Sequence, residues 1–257
     1  MLNIVILATN LYVPLGVRLI KNLNRYYEGI LPLRIYVYSN DNFFQFLPED
    51  TKNVFWIPET HNSWQQATNS KFKNIKKTIK LFSLQDEEYL FYLDADTNIN
   101  KPFEEHEIIE DLVGAEHHHH YIWKGDGSKM PFDRNPQSKS YVSPDSKLPA
   151  KYFQGAFFGG KIEYVKLFCD ILINWQIEDR KIFYEPDVND ESYINKFFHI
   201  TPPSKAILYD DFPFQVSCKG GISDQRIPKP ANQEDIEKLI ELKDTTISII
   251  GGEIVRG

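Results

Sequence analysis

The stretch Leu90-Phe91-Tyr92-Leu93-Asp94-Ala95-Asp96-Thr97-Asn98 constrains this chain more than any other. Four large apolar or aromatic residues in a row fit a strand buried on both faces. The strand then delivers two carboxylates, Asp94 and Asp96, at its carboxyl end, the edge where open α/β sheets place their ligands. Residues i and i+2 of an extended segment point the same way, so both acids can face one guest. Two hard anionic oxygens side by side suit a divalent cation such as Mn2+ or Mg2+, and such ions commonly reach proteins together with phosphates. The competing reading is a strand end whose aspartates make an Asx turn into Asn98 and Asn100. Spacing alone leaves the two open.

At 257 residues, 42% hydrophobic and 25% charged, the chain suits one large globular domain, with or without an appendage. A net charge of −7 argues against a non-specific nucleic-acid binder, so no nucleic-acid partner is expected. Two cysteines, Cys169 and Cys218, imply no disulfide framework. The apolar start, Met1 to Ala8, lacks a basic flank and is broken by Thr9, Asn10 and Pro14. It is too short to span a bilayer and reads as a first sheet strand, which makes a cytoplasmic protein without a membrane span the expectation.

Strand patterns over residues 3–7, 33–38 and 53–57, with a helical stripe from Pro14 to Tyr27 after the first, predict a mostly parallel sheet. Phe72, Ile75, Ile79 and Phe82 predict a second long helix over 67–83. Its lysines read as a solvated face, although one near the helix start could meet a diphosphate. A short acidic helix is expected over 104–112. His117 to His120 read as a polar strand whose rings alternate between faces, with a zinc site as the alternative. The Gly-, Asp-, Ser- and Pro-rich residues 124–147 form a long connection. Tyr152 to Gly160 predict a strand whose glycines mark a close approach of a ligand or another strand. An amphipathic helix follows over 163–176, and Asn189 or Asp190 is expected to cap a helix beginning there. Glu191 goes beyond what capping needs, though the helix dipole favours it. In the tail, a helix over 234–243 and a hairpin about Gly251-Gly252 are predicted.

Three segments taken together, Asp133 to Tyr141, Tyr152 to Gly160 and Asn189 to Phe197, resemble glycosyltransferase family 6. That family includes the ABO blood-group transferases, α-1,3-galactosyltransferase and shorter bacterial relatives. Leu90 to Asp96 stands upstream in the position of the family's Asp-x-Asp, and the likeness spans roughly Leu2 to Phe214. The resemblance implies a single α/β domain of GT-A type with a doubly wound mixed sheet. Its nucleotide-binding half would cover residues 1–100, its acceptor and catalytic half 101–214, and a C-terminal tail 215–257. The implied reaction moves galactose or N-acetylgalactosamine from a UDP-sugar to the 3-hydroxyl of a galactose-terminated glycan, in α-1,3 linkage and with retention, using Mn2+ or Mg2+.

By the same resemblance Asp94 and Asp96 hold the metal, with Asp94 and Ala95 also meeting the donor. Ala8, Thr9 and Tyr12 grip uridine, and Trp64, Thr68 and Lys71 stand on the donor-site helix. Gln154, Gly155 and Ala156 form the triplet that sorts galactose from its acetamido cousin. His117 and Asn189 fall beside the acceptor, Asp190 would hold the donor sugar, and Glu191 matches the acid that acts as nucleophile or stabilises an oxocarbenium-like transition state. Lys71 departs from an arginine, keeping the charge but losing a bidentate fork. Val188 and Asn189 replace a Trp-His pair, which points to a different acceptor. Both acids of the Asp-x-Asp are present where many bacterial relatives carry Asn-x-Asn, so metal dependence is expected. Ala156 leans toward galactose, and the polar Gln154 pulls the other way. Two other classes compete: an inactive UDP-sugar or glycan-binding module that does not need Glu191, and a metal-dependent phosphohydrolase using Asp94, Asp96 and the histidines.

Overall fold

The computed structural model describes residues 1–49, 51–99, 101–117, 119, 123–146 and 151–208, and the strand backbones at 214–216, 247–250 and 253–256. The strands of the central sheet are β1 (Leu2–Leu7), β2 (Leu33–Ser39), β3 (Val54–Pro58), β4 (Tyr89–Asp94), β6 (Leu112–Glu116), β7 (Phe153–Lys161) and β8 (Lys205–Ile207), while a short β5 (Thr97–Ile99) pairs outside it with β9 (Phe214–Val216). The order is β3-β2-β1-β4-β7-β6-β8. From β3 to β4 the neighbours are parallel, and β7 then runs antiparallel to both β4 and β6. The sheet is therefore mixed.

Alternation along the strands builds two apolar layers. Ile4, Ile6, Phe91, Leu93 and Phe157 face α1 (Val13–Tyr26), against Val13, Val17 and Ile20. Val5, Leu7, Leu90, Tyr92 and Phe158 face the other way, onto α2 (Trp64–Leu81), α3 (Ile162–Lys181) and α4 (Asn189–Ile200). Helices on both faces give the doubly wound α/β architecture. At Gly159 a Cβ would lie 2.3 Å from the Leu90 carbonyl oxygen, so that glycine lets β7 close on the backbone of β4.

Several expectations shift. Helix α2 begins at Trp64 rather than Ala67, because the Ser63 hydroxyl caps it by accepting from the Gln66 N–H at 3.1 Å. The acidic helix over 104–112 is a single 3-10 turn at Glu105–Glu107. Glu105 turns inward there to accept from the Tyr27 hydroxyl (2.9 Å) and the Ile30 N–H (3.2 Å), and β6 begins at Leu112. Strand β6 ends at Glu116, so His117 follows the strand instead of continuing it, and His119 lies in a turn. Neither Asn189 nor Asp190 caps α4: Val188 holds the cap position without a side-chain bond, and Asp190 points to a lysine. In the tail, β10 (Ile247–Ile250) and β11 (Glu253–Arg256) pair antiparallel as a hairpin should. The helix over 234–243 lies outside the described residues, as do His118 and His120.

Candidate active site

The direction of β7 assembles the site. Because β7 opposes β4, with Leu93 beside Phe157, the first residues of β7 lie against the carboxyl end of β4. Gln154, Gly155 and Ala156 thus meet Asp94, Ala95 and Asp96 across a cavity of about 220 Å3. Strand β4 stops at Asp94, and Asp96 sits in the turn that follows, so the second acid reaches the cavity from a turn rather than from an extended segment. Helix α4 docks on the same edge through Asn195. Its amide accepts from the Phe153 N–H (2.7 Å) and donates to the Phe153 carbonyl (2.8 Å), completing a two-way pair with the strand backbone. That docking brings the first turn of α4, with Asp190 and Glu191, over Gly155. A Cβ at Gly155 would stand 3.0 Å from Asp190 Oδ2 and 3.3 Å from Glu191 Cβ, so the glycine leaves room for both acids.

One buried cation ties these pieces together. Lys71, only 4% exposed, places Nζ 3.0 Å from Asp94 Oδ1, 3.0 Å from Asp190 Oδ2 and 3.2 Å from the Gly155 carbonyl it donates to. Its charge also lies 4.9 Å from the centre of the Tyr92 ring, and the Tyr92 hydroxyl donates to Asp94 Oδ1 at 2.8 Å. Burial on its own would lower the Lys71 pKa, but Asp190 and Asp94 outweigh it and the net shift is upward, so the ammonium stays charged. Asp190 is pushed up to about 6 by burial, with Lys71 opposing and Asp94 adding to the rise. Asp96 rises to about 6 through enclosure and the charge of Asp94. Glu191 accepts from the Gly155 N–H at 2.7 Å and is pushed up to about 7, by burial first and by Asp190 as well. Acids thus crowd a site whose central cation is already shared.

The residues singled out from the sequence fall as follows. Thr9, Tyr12, Trp64, Thr68, Lys71, Asp94, Ala95, Asp96, His117, Gln154, Gly155, Ala156, Asp190 and Glu191 line the one cavity. Ala8 does not: its side chain is in the core layer against α1, and its N–H is spent on the Tyr38 carbonyl at 2.8 Å. Leu7 and Thr9 line the cavity instead, as strand alternation requires. Asn189 is buried behind the lining, with Val188 in front, and takes a left-handed backbone at φ +43°. Such strain at a non-glycine residue costs on the order of 1–3 kcal/mol and persists where the surroundings impose it. His117 stacks on Trp123 with centroids 4.9 Å apart and meets the Tyr152 ring edge-on. Among the described residues no three His, Cys, Asp or Glu side chains gather as a metal cluster.

Sequence reasoning passed over Tyr92, Tyr152 and Arg18. Tyr92 lies two residues before Asp94 on the same strand face, and Tyr152 two before Gln154, so the period of two could have found both. The Tyr152 hydroxyl donates to the Pro131 carbonyl at 3.4 Å, and its proximity favours the Glu191 anion. Arg18, on α1, donates to the Asp96 carbonyl at 3.4 Å, and its charge and that of Asp96 favour each other. Gln154 is notable for what it lacks: both amide atoms are buried without a hydrogen-bond partner among the described residues.

Comparison with known proteins finds relatives among glycosyltransferases. A globoside alpha-1,3-N-acetylgalactosaminyltransferase 1 from Gallus gallus is 28% identical over 155 residues, covering 59% of this chain and 44% of that protein. The histo-blood group ABO system transferase 2 of Rattus norvegicus is 26% identical over 150 residues, covering 57% of this chain and 42% of its own length. The O-antigen biosynthesis glycosyltransferase WbnI of Escherichia coli is 28% identical over 172 residues, 66% of this chain and 70% of that protein. The chain thus spans less than half the length of the animal relatives it matches. The family model described as glycosyltransferase family 6 matches residues 36–226, well over half of the sequence, and the chain belongs to that family.

Proposed function

We propose that this chain is a retaining glycosyltransferase that moves galactose or N-acetylgalactosamine from a UDP-sugar to the 3-hydroxyl of a galactose-terminated glycan, forming an α-1,3 linkage. The observation that carries the reading is the convergence of Lys71, Asp94, Asp190 and Glu191 on one cavity around Gly155. Its enclosed volume, about 220 Å3, lies below the range of about 300–1,000 Å3 usual for whole small-ligand sites. The enclosed part therefore suits the sugar and the diphosphate, with the nucleoside toward Thr9, Tyr12 and the 44% exposed Trp64.

In this reading Asp190, held by Lys71, accepts from sugar hydroxyls, and its charge is fixed in place before the donor arrives. Glu191, oriented by the Gly155 N–H, faces the anomeric carbon as that carbon's bond to the diphosphate breaks. It serves as nucleophile or as the anion that stabilises the developing oxocarbenium, and the acceptor oxygen then bonds on the face that the diphosphate has left, so the configuration is retained. Asp94 and Asp96 fit a divalent cation. They line one cavity, and Asp96 is raised by burial first and then by the charge of Asp94, so a cation between the two would relieve both costs. With two protein carboxylates, Mn2+ or Mg2+ would complete its shell from phosphate oxygens and water, and when bound it would neutralise the leaving diphosphate.

The unpaired amide of Gln154 supports a ligand group at that point, since a buried unsatisfied polar group costs about 1–3 kcal/mol. Ala156 beside it favours galactose by leaving less room for an acetamido group. No helix among the described residues is long and apolar enough to cross a membrane, and we take the cytoplasm as the working compartment. Turnover of UDP-galactose and UDP-N-acetylgalactosamine against a panel of galactosides, with and without Mn2+, tests the reading. Acceptor-dependent transfer that Glu191→Gln removes supports it. UDP release independent of acceptor would point to a phosphohydrolase, and donor binding without turnover to a binding module.

A further inference from the structure

We propose that the segment from Asp133 to Val142 is a clasp that fixes the turn presenting Asp190 and Glu191, with Asp133 and Asp179 as positioning residues. The inference rests on the transfer reading above and assigns a role to a motif which that reading leaves without one. The connection between α3 and α4 holds Phe183 in the left-handed region at φ +56°, and the first residue of α4, Asn189, takes it at φ +43°. In the first turn of α4, Asn189 Oδ1 and Ser192 Oγ are buried without hydrogen-bond partners among the described residues. A turn so strained and so poorly satisfied does not hold itself, and something must hold it.

Two tyrosines bracket it. Ahead of the acids, the Tyr184 hydroxyl donates to Asp133 Oδ1 at 2.8 Å. Behind them, the Tyr193 hydroxyl donates to Asp179 Oδ2 at 3.0 Å. The two aspartates are joined in turn through serines. Ser140 donates to Asp133 Oδ2, Ser138 donates to Asp179 Oδ2 at 2.8 Å, and the serine oxygens lie 2.8 Å apart. The Lys139 N–H donates to Asp179 Oδ1 at 2.7 Å, so that carboxylate, fully buried on α3, holds the segment and α4 at once. These are hydrogen bonds to charged acceptors, buried at the two serines and Tyr193 and partly buried at Tyr184 and Lys139, the strong and directional kind. The segment is fastened at its other end as well, where Arg134 donates to the carbonyls of Val142 (2.7 Å) and Gly127 (2.8 Å).

None of these side chains lines the cavity, so the clasp acts through the placement of Glu191, two residues before Tyr193 and 2.7 Å from the Gly155 N–H. Misplacing a reacting group by about 1 Å can cost a hundredfold in rate. Deleting one hydroxyl, in Tyr184→Phe or Tyr193→Phe, is the least intrusive probe. A remote core truncation, Ile20→Val in the layer under α1, controls for lost stability.

The test compares all three variants with the wild-type chain in four measurements: kcat, donor KM, thermal unfolding and amide hydrogen exchange over residues 189–195. The expected result for each tyrosine variant is a kcat lower by about 10–100-fold with donor KM within about twofold, and faster exchange in that stretch. Ile20→Val should lose thermal stability but keep kcat. A kcat that follows thermal stability alike in all three variants, or exchange unchanged in the tyrosine variants, overturns the clasp. If the wild-type chain transfers no sugar, the functional reading fails separately, and the exchange measurement still decides whether the hydroxyls hold the turn.

Discussion

Replacing Glu191 by glutamine should make the protein more stable while abolishing its chemistry. The carboxyl is pushed from 4.5 up to about 7, by burial first and by Asp190 as well, against the Gly155 N–H and the Tyr152 hydroxyl that favour the anion. A raised acid keeps a proton in the folded chain that the unfolded chain has lost. Stability therefore falls as pH rises from 4.5 through about 7, and the full cost of the buried anion is present above that. The interval corresponds to about 3 kcal/mol at pH 8 and to less than about 1 kcal/mol at pH 5. Glutamine carries no charge, and its amide oxygen can still accept from Gly155.

The gain expected for Glu191→Gln is about 2–3 kcal/mol at pH 8, which for a chain of this size raises Tm by about 4–12 °C. At pH 5 the gain should shrink to under about 1 kcal/mol. Urea titrations of both proteins at the two pH values, with thermal scans beside them, measure it directly. Sugar transfer by the variant should fall by several powers of ten. Equal or lower stability at pH 8, or a gain as large at pH 5 as at pH 8, would refute the reasoning, because either result means that Glu191 is not held as a costly anion. On the transfer reading, Glu191 strains the fold for the sake of the reaction, a common form of the trade between stability and activity.

Other expectations follow from the same cavity. Lys71→Met removes the cation between Asp94 and Asp190 and should destabilise the fold by about 3–5 kcal/mol in urea at pH 7, whereas the double variant Lys71→Met/Asp190→Asn should recover part of that loss. Asp96→Asn should weaken Mn2+-dependent UDP binding by tenfold or more in calorimetry, on the order of 1.4 kcal/mol, while leaving the unfolding midpoint without metal the same or higher. Gln154→Leu should add about 1 kcal/mol of stability by removing an unpaired buried amide and should change the ratio of the two donors' kcat/KM; an unchanged ratio would detach Gln154 from donor choice.

Much of the sheet could be read from the chain, and the reasons are specific. The apolar runs at Leu2–Leu7 and Tyr89–Asp94 stand out because both faces of those strands are covered. The start of α2 lies in Ser63 and Gln66, ahead of the stripe Phe72, Ile75, Ile79 and Phe82 that predicts the helix, so it falls three residues before the expected Ala67. Residues 104–112 look helical because their acids and apolar residues are spaced that way, but Glu105 finds Tyr27 and Ile30 and takes the segment out of helix. The five residues of β6, with a glycine at their centre, give almost no local signal. For the site, Asp94 and Asp96 could be argued from spacing, and the glycines of β7 from their lack of side chains. Nothing local says that β7 turns against β4, and only that reversal brings Gln154 to Asp96. Pattern alone leaves Lys71 one solvated lysine among five; the family resemblance picks it out, and the fold shows it buried between two acids.

Strands β6 and β7 are adjacent and antiparallel, which means that two or three residues would be enough to join them. The chain instead travels from His117 to Tyr152 before it returns. That detour carries no topological duty: the sheet would have the same order without it. Freed from building the sheet, its Asp133–Val142 stretch instead ties itself to the end of α3 and to the approach to α4, so the detour answers to helices and not to the strands on either side of it.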